Sequence, residues 1–67
     1  MTTAQFQALA ELLRLRGGPA TDAARLVLVD GLTVTEAAQR AGVSSSGVSN
    51  ALARCRRGME LARRAVG

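Results

Sequence analysis

A segment of 20 residues from Thr33 to Leu52, TVTEAAQRAGVSSSGVSNAL, constrains the fold of this chain more than any other feature. Thr33 and Glu36 have the spacing of a capping box, in which the threonine oxygen and the glutamate satisfy free amides at a helix start. Gly42 offers the left-handed backbone that ends a short helix. Ser44 is a preferred N-cap for a second helix. Two short helices joined at one glycine predict a helix-turn-helix, which places its second helix in the DNA major groove.

The second helix of this motif is predicted to have one apolar and one polar face. Its apolar positions recur at the i, i+3, i+4 and i+7 spacing of a helix packed on a core, and they are Val48, Ala51, Leu52 and Cys55. The opposite face is polar, and its first turns are where such a helix presents side chains to base edges. We predict that the residues contacting DNA are Ser44, Ser45, Ser46, Ser49, Asn50, Arg54 and Arg57.

Asn50 is the most specific of these predictions. Its planar amide can accept from adenine N6 and donate to N7 at once, which discriminates between bases by about 1–3 kcal/mol. The serine hydroxyls can contact a base, a phosphate or water, and Ser44 is expected to act mainly as a helix cap. Arg54 and Arg57 lie about 6 and 10 Å further along the helix than Asn50, a distance that suits phosphates better than bases.

The formal net charge is +4, and the basic residues are concentrated in the half of the chain that holds the motif. Residues 40–67 contain six arginines and one acid, Glu60, whereas residues 1–39 contain three arginines and four acids. A one-sided basic surface is typical of phosphate binding. The alternative is that the arginines only keep the helices soluble, and the absence of lysine indicates a bias toward arginine codons.

The predicted fold is all-α, a compact four- to five-helix domain formed by residues 1–67 as a single helix-turn-helix DNA-binding domain. A chain of 67 residues has room for one small core, which would gain stability from a partner. The single aromatic residue, Phe6, and the excess of alanine, leucine and valine favour packed helices over a sheet.

The two helices before the motif are predicted from apolar periodicity and turn residues. Helix one should run from about Thr3 to Arg16, ended by glycines and a proline. Helix two should start at Thr21 and Asp22 and occupy the centre of the fold, because residues 23–29 are apolar nearly all round.

The tail after Gly58 either extends the last helix or forms a short fifth one. Met59, Ala62 and Val66 continue the apolar face, so the tail is expected to pack. Met59 and Leu61 are the predicted contacts with a second subunit, and the alternative for Leu61 is an ordinary exposed leucine.

Several functional classes are disfavoured by the residues that the chain lacks. There is no histidine and only one cysteine, so no intramolecular disulfide, metal site, cofactor site or enzymatic base is expected. Cys55 is expected to be a buried packing residue, with a redox switch or an intermolecular bridge as the alternative. No apolar stretch approaches the roughly 20 residues that cross a bilayer. The N-terminal segment lacks the basic start and apolar centre of a signal peptide. The protein is therefore expected in the cytoplasm.

Three segments together resemble the DNA-binding domain of the TrfB/KorA family of plasmid transcriptional repressors: TAQFQ at 3–7, ARLVLVDG at 24–31 and GVSSSGVSNA at 42–51. The second segment is the more specific, because the third occurs in many helix-turn-helix proteins. The resemblance covers most of the chain. It implies operator binding through the fourth helix, dimerisation, and repression of mobile-element promoters, often the protein's own.

The chain departs from this family in two respects. Ser45 and Asn50 stand where the family's KorA member reads bases with arginine and glutamine, so the resemblance implies the fold and not the operator. KorA also dimerises through a further C-terminal region, so a dimer of the present chain is expected to form differently. In size and plan the chain is similar to short autorepressors of phages and conjugative elements, including those beside anti-CRISPR genes.

The function predicted from the sequence is a transcriptional repressor that reads a palindromic operator in double-stranded DNA as a homodimer. Two alternatives stay open. Residues 31–64 also look like the C-terminal promoter-reading domain of a sigma factor, which predicts a promoter-binding module or activator. The same fold could also serve as an antitoxin or adaptor that binds protein.

Overall fold

Four helices form the fold, and they are α1 (Thr3–Leu12), α2 (Pro19–Leu28), α3 (Val34–Ala41) and α4 (Ser45–Val66). The structure is a computed structural model that describes residues 1–66. It confirms the predicted all-α class. Of the two arrangements predicted for the tail, the structure has the first, because α4 continues through Gly58 as one helix of 22 residues. No helix within residues 1–66 is long and apolar enough to cross a membrane.

The core is built around small side chains on α2 and α3. Ala23, Ala24 and Ala37 are completely buried, and a single methyl group at each position lets the helices approach closely. The longer apolar side chains that complete the core come from α1 and α4, and they are Phe6, Leu9, Val48, Leu52 and Cys55. Both α2 and α4 contact all three other helices, so the central position predicted for α2 is shared with α4.

Helix α1 ends four residues earlier than predicted, at Leu12 rather than Arg16. Arg14 adopts a left-handed conformation with φ of 52°. Its N–H donates to the Glu11 carbonyl at 3.1 Å, and the Leu15 N–H donates to the Ala10 carbonyl at 2.9 Å, the pair of bonds that defines a Schellman turn. The turn brings Leu15 back against the core, which a continued helix would not do.

Helix α2 begins at Pro19, two residues before the predicted start at Thr21 and Asp22. Proline suits the first helical position because its fixed φ is helical and its missing N–H would have no partner there. Thr21 does not cap the helix; its hydroxyl donates to the Arg16 carbonyl at 2.7 Å. Asp22 lies in the first turn, where a carboxylate interacts favourably with the helix dipole.

The C-terminal half of α4 packs less completely than its sequence pattern predicts. Met59 is half-buried against the core, which agrees with the prediction. Val66 is 91% exposed, so the prediction that it packs is wrong. It lies at the end of α4 beyond the core, where no helix in the described part of the chain covers it.

Gly58 is a packing position and not a helix terminator. It is buried inside α4, and a Cβ atom built on it would lie 2.5–2.9 Å from three side-chain carbons of Leu13. Such distances are shorter than a Cβ atom tolerates, so the Leu13 side chain can lie in this position against α4 only because residue 58 has no side chain.

We expect Gly58→Ala to lower the free energy of unfolding, although alanine is favoured over glycine inside a helix by about 0.5–1 kcal/mol. Overpacking against Leu13 typically costs about 1–3 kcal/mol, which outweighs that preference. In a Leu13→Ala background the clash is gone, so the same substitution should stabilise by up to about 1 kcal/mol. Urea denaturation of the four proteins in this double-mutant cycle measures the change of sign. Stabilisation by Gly58→Ala in both backgrounds would show that the two residues are not in contact.

Candidate nucleic-acid interface

The first helix of the motif, α3, starts as its sequence predicts. The Thr33 Oγ1 accepts a hydrogen bond from the Glu36 N–H at 3.2 Å, and the Glu36 Oε1 accepts one from the Thr33 N–H at 3.2 Å. The backbone hydrogen bond from Thr33, helped by its hydroxyl, lowers the pKa of Glu36 because both favour the charged carboxylate. The capping box is therefore confirmed, and it holds α3 most firmly when Glu36 is ionised.

Gly42 makes the turn between the two helices of the motif. Its backbone is left-handed, with φ of 71° and ψ of 34°, as predicted. The N–H groups of Gly42 and Val43 both donate to the Ala38 carbonyl, the second at 3.0 Å. Val43 then packs against the core, so the chain direction between α3 and α4 is fixed on both sides of the glycine.

Ser44 caps the second helix. Its Oγ accepts from the Gly47 N–H at 3.1 Å, and its carbonyl accepts from the Val48 N–H at 3.2 Å. The predicted capping role is confirmed. Ser44 is also exposed, and its hydroxyl hydrogen remains available for a ligand.

The outward face of α4 carries the side chains predicted to contact DNA. Val48, Leu52 and Cys55 are buried on the inner face. The predicted contact residues beyond the cap are all exposed, and they are Ser45, Ser46, Ser49, Asn50, Arg54 and Arg57. Ser46, Asn50 and Arg57 are separated by four and seven residues and therefore form one stripe along the helix. We call this stripe, with its exposed neighbours on α4, the outer face.

Arg56 is exposed on the flank of α4 beside the outer face and was not among the predicted residues. It is exposed and lies seven residues after Ser49, on one side of the stripe, whereas Arg54 lies on the other side. The run Arg54, Cys55, Arg56, Arg57 was the signal that could have identified it. Between Ser44 and Met59 the sequence contains no acid, so no neighbouring carboxylate on this part of α4 neutralises the three arginines.

The charge on the last turns of α4 is partly neutralised. Arg64 forms an ion pair of 2.8 Å with Glu60, one helical turn earlier. Both side chains are exposed, so the pair contributes little to stability. The positive charge is therefore strongest in the middle of α4, beside the predicted base-reading residues.

Cys55 is buried beneath the outer face. Its burial agrees with the predicted packing role. Burial raises the pKa of its thiol, and the nearby Arg54 only partly opposes this. A thiol kept protonated in this way is a poor nucleophile.

The two residues predicted to contact a second subunit have different surroundings. The Met59 side chain packs against the core and is only partly exposed. Leu61 is 46% exposed and lines a groove between α1 and α4 together with Leu13 and Gly58.

We expect Gly42→Val to destabilise the protein by about 1–3 kcal/mol, because a β-branched residue is strained in left-handed backbone. Gly17→Val is a matched control, because an added Cβ meets nothing within 4 Å at either glycine and only Gly42 has a positive φ. Thermal denaturation of both variants measures the difference. Equal melting temperatures would show that the Gly42 conformation does not hold the turn.

No family model, no curated protein and no solved structure matches this chain. These comparisons therefore add nothing to the TrfB/KorA resemblance, which rests on the three short segments alone.

Proposed function

We propose that this protein is a sequence-specific transcriptional repressor that binds double-stranded DNA through α4. The observation that carries the proposal is the outer face itself: short polar side chains on the first turns of α4, followed by exposed arginines, directly after a glycine turn. Serine and asparagine side chains are short enough to let a helix enter the major groove deeply, and arginines further along suit the phosphates that border it.

Each part of the motif has a defined task in this proposal. The Gly42 turn sets the angle at which α4 enters the groove, while α3 crosses the DNA backbone. Asn50 reads an adenine, and its amide makes no hydrogen bond to another side chain within residues 1–66 that would compete. Arg54, Arg56 and Arg57 bind phosphates and supply most of the affinity.

Repression follows if the bound protein occupies a promoter and excludes RNA polymerase. The resemblance to TrfB/KorA repressors supports a plasmid or phage origin and control of the protein's own promoter, in the cytoplasm where that DNA lies. A palindromic operator and a homodimer complete the proposal, because one helix-turn-helix of this size offers few contacts for tight specific binding.

Footprinting on the DNA upstream of the protein's own gene tests this function. A repressor should protect an inverted repeat with no polymerase present. Protection that requires core polymerase would instead identify a sigma-like promoter module. Absence of protection under both conditions would favour an antitoxin or adaptor that binds protein.

A further inference from the structure

An apolar groove of about 470 Å³ runs between the end of α1 and the C-terminal half of α4. Among residues 1–66, four large hydrophobic side chains are exposed, and three of them line this groove: Leu12 at 63%, Leu61 at 46% and Val66 at 91%. Ala62 and Ala65 form its floor on α4. Concentration of exposed apolar side chains in one place is typical of an interaction surface.

We propose that the surface around this groove packs against the same surface of a second copy. The two α4 helices are antiparallel and cross at Leu61. The proposal rests on the proposed function, for which it specifies the dimer. The surface has both elements that a two-fold contact requires, because Leu61 protrudes beside a depression that can receive it. The small side chains of Ala62 and Ala65 allow a second helix to approach closely.

The distribution of charge favours the antiparallel arrangement. Arg54 and Arg57 lie at one end of the groove, near Gly58. With helices crossing at Leu61, Arg57 lies opposite residue 65 of the second copy, which is an alanine. Parallel helices would instead place identical arginines side by side. Arg64, near the crossing point, is already paired with Glu60.

The same arrangement separates the two outer faces by about one helical repeat of DNA. Eleven residues separate Asn50 from Leu61, which is about 16.5 Å along the helix axis. Two antiparallel helices crossing at Leu61 therefore place their Asn50 positions about 33 Å apart along the axis. Adding a lateral offset of about 8–10 Å between packed helices gives about 34 Å. Successive major grooves on one side of DNA are also about 34 Å apart.

The floor of the groove and the outer face point in different directions around α4. At 100° per residue, Ala62 and Ala65 lie about 120° and 60° around α4 from Asn50, whereas Leu61 lies only about 20° from Asn50, at the rim of the groove that borders the outer face. A two-fold axis perpendicular to both α4 helices then directs both stripes toward the same side. The dimer therefore offers one continuous DNA-binding surface with its two-fold axis between half-sites.

Disulfide trapping tests the geometry, because a residue at the crossing point lies next to the same residue of the second copy. With oxidised glutathione as oxidant, Leu61→Cys should form a covalent dimer rapidly while glutathione is reduced. Gln7→Cys is the matched control, since Gln7 is exposed on α1 outside the groove, and the native Cys55 is buried. Equal rates of cross-linking for the two variants would overturn the crossing at Leu61.

Sedimentation tests whether the groove itself holds the dimer. The wild type should sediment as a dimer, Leu12→Glu and Leu61→Glu as folded monomers, and the charge-matched Gln7→Glu as a dimer. Circular dichroism establishes that each variant is folded, which is expected because all three residues are exposed. A monomeric wild type, or folded groove variants that remain dimeric, would overturn the proposal.

DNA binding separates failure of the dimer from failure of the proposed function. The wild type should protect two half-sites centred about 10 base pairs apart, and five inserted base pairs should abolish joint protection by moving one half-site to the opposite side of the helix. A wild-type monomer that still protects its operator refutes the groove dimer and leaves the repressor function standing. A groove dimer that binds no DNA refutes the repressor function and leaves the groove dimer standing.

Discussion

Raising the salt concentration from 50 to 200 mM should weaken binding to the operator about a thousandfold. Each phosphate that an arginine neutralises releases condensed counterions, and about six phosphates per dimer give this decrease. Arg54, Arg56 and Arg57 are exposed on α4, so two copies of the chain carry enough arginines for that number. Fluorescence anisotropy at several salt concentrations measures the slope of log Kd against log salt.

Single arginine substitutions show which side chains produce this slope. Arg57→Gln should reduce its magnitude by about 1 for each phosphate that is no longer neutralised, and therefore by about 2 for a dimer. Arg16→Gln is the control, because Arg16 is exposed in the segment between α1 and α2 and is not part of the outer face. A nearly flat salt plot for the wild type, or an equal effect of both substitutions, would contradict phosphate binding by α4.

The motif was predictable because its determinants are local. The capping box joins residues three apart, the Ser44 cap joins residues three apart, and the Gly42 turn is closed by bonds to Ala38. Residue types with strong positional preferences therefore predict this part of the fold. The alternating inner and outer faces of α4 follow from the helical repeat in the same way.

The end of α1 was mispredicted because long-range packing determines it, whereas the start of α2 at Pro19 follows a local proline preference that the prediction overlooked. Leu15 has to return to a core whose other members come from distant parts of the chain, so the helix ends before Arg14 although arginine is a good helix former. The contact between Leu13 and Gly58 joins residues 45 positions apart, and no local pattern indicates it.

These errors also affected the candidate sites. Because helix one was predicted to continue to Arg16, Leu12 had no special position, and the groove it forms with Leu61 and Val66 was not foreseen. Leu61 could be recognised as lying off the apolar face from α4 alone. The surface that surrounds it requires two helices and hence the tertiary structure.

Asn50→Ala should remove most of the preference for operator over other DNA while leaving non-specific affinity nearly unchanged. A bidentate contact to adenine discriminates by about 1–3 kcal/mol, and a dimer makes it twice. Loss of at least about 2 kcal/mol corresponds to a decrease of about thirtyfold or more in specificity. The proposed phosphate contacts of Arg54 and Arg57 would not depend on base identity, so binding to arbitrary DNA should persist.

The most direct test of DNA reading by α4 is the ratio of dissociation constants for operator and scrambled duplex, measured at one salt concentration for the wild type and for Asn50→Ala. Gln39→Ala is the control, because it removes an exposed amide from α3 instead of the outer face of α4. We expect the ratio to fall at least about thirtyfold for Asn50→Ala and to stay constant for Gln39→Ala. An Asn50→Ala protein that keeps the full operator preference of the wild type would contradict the reading of DNA by this face.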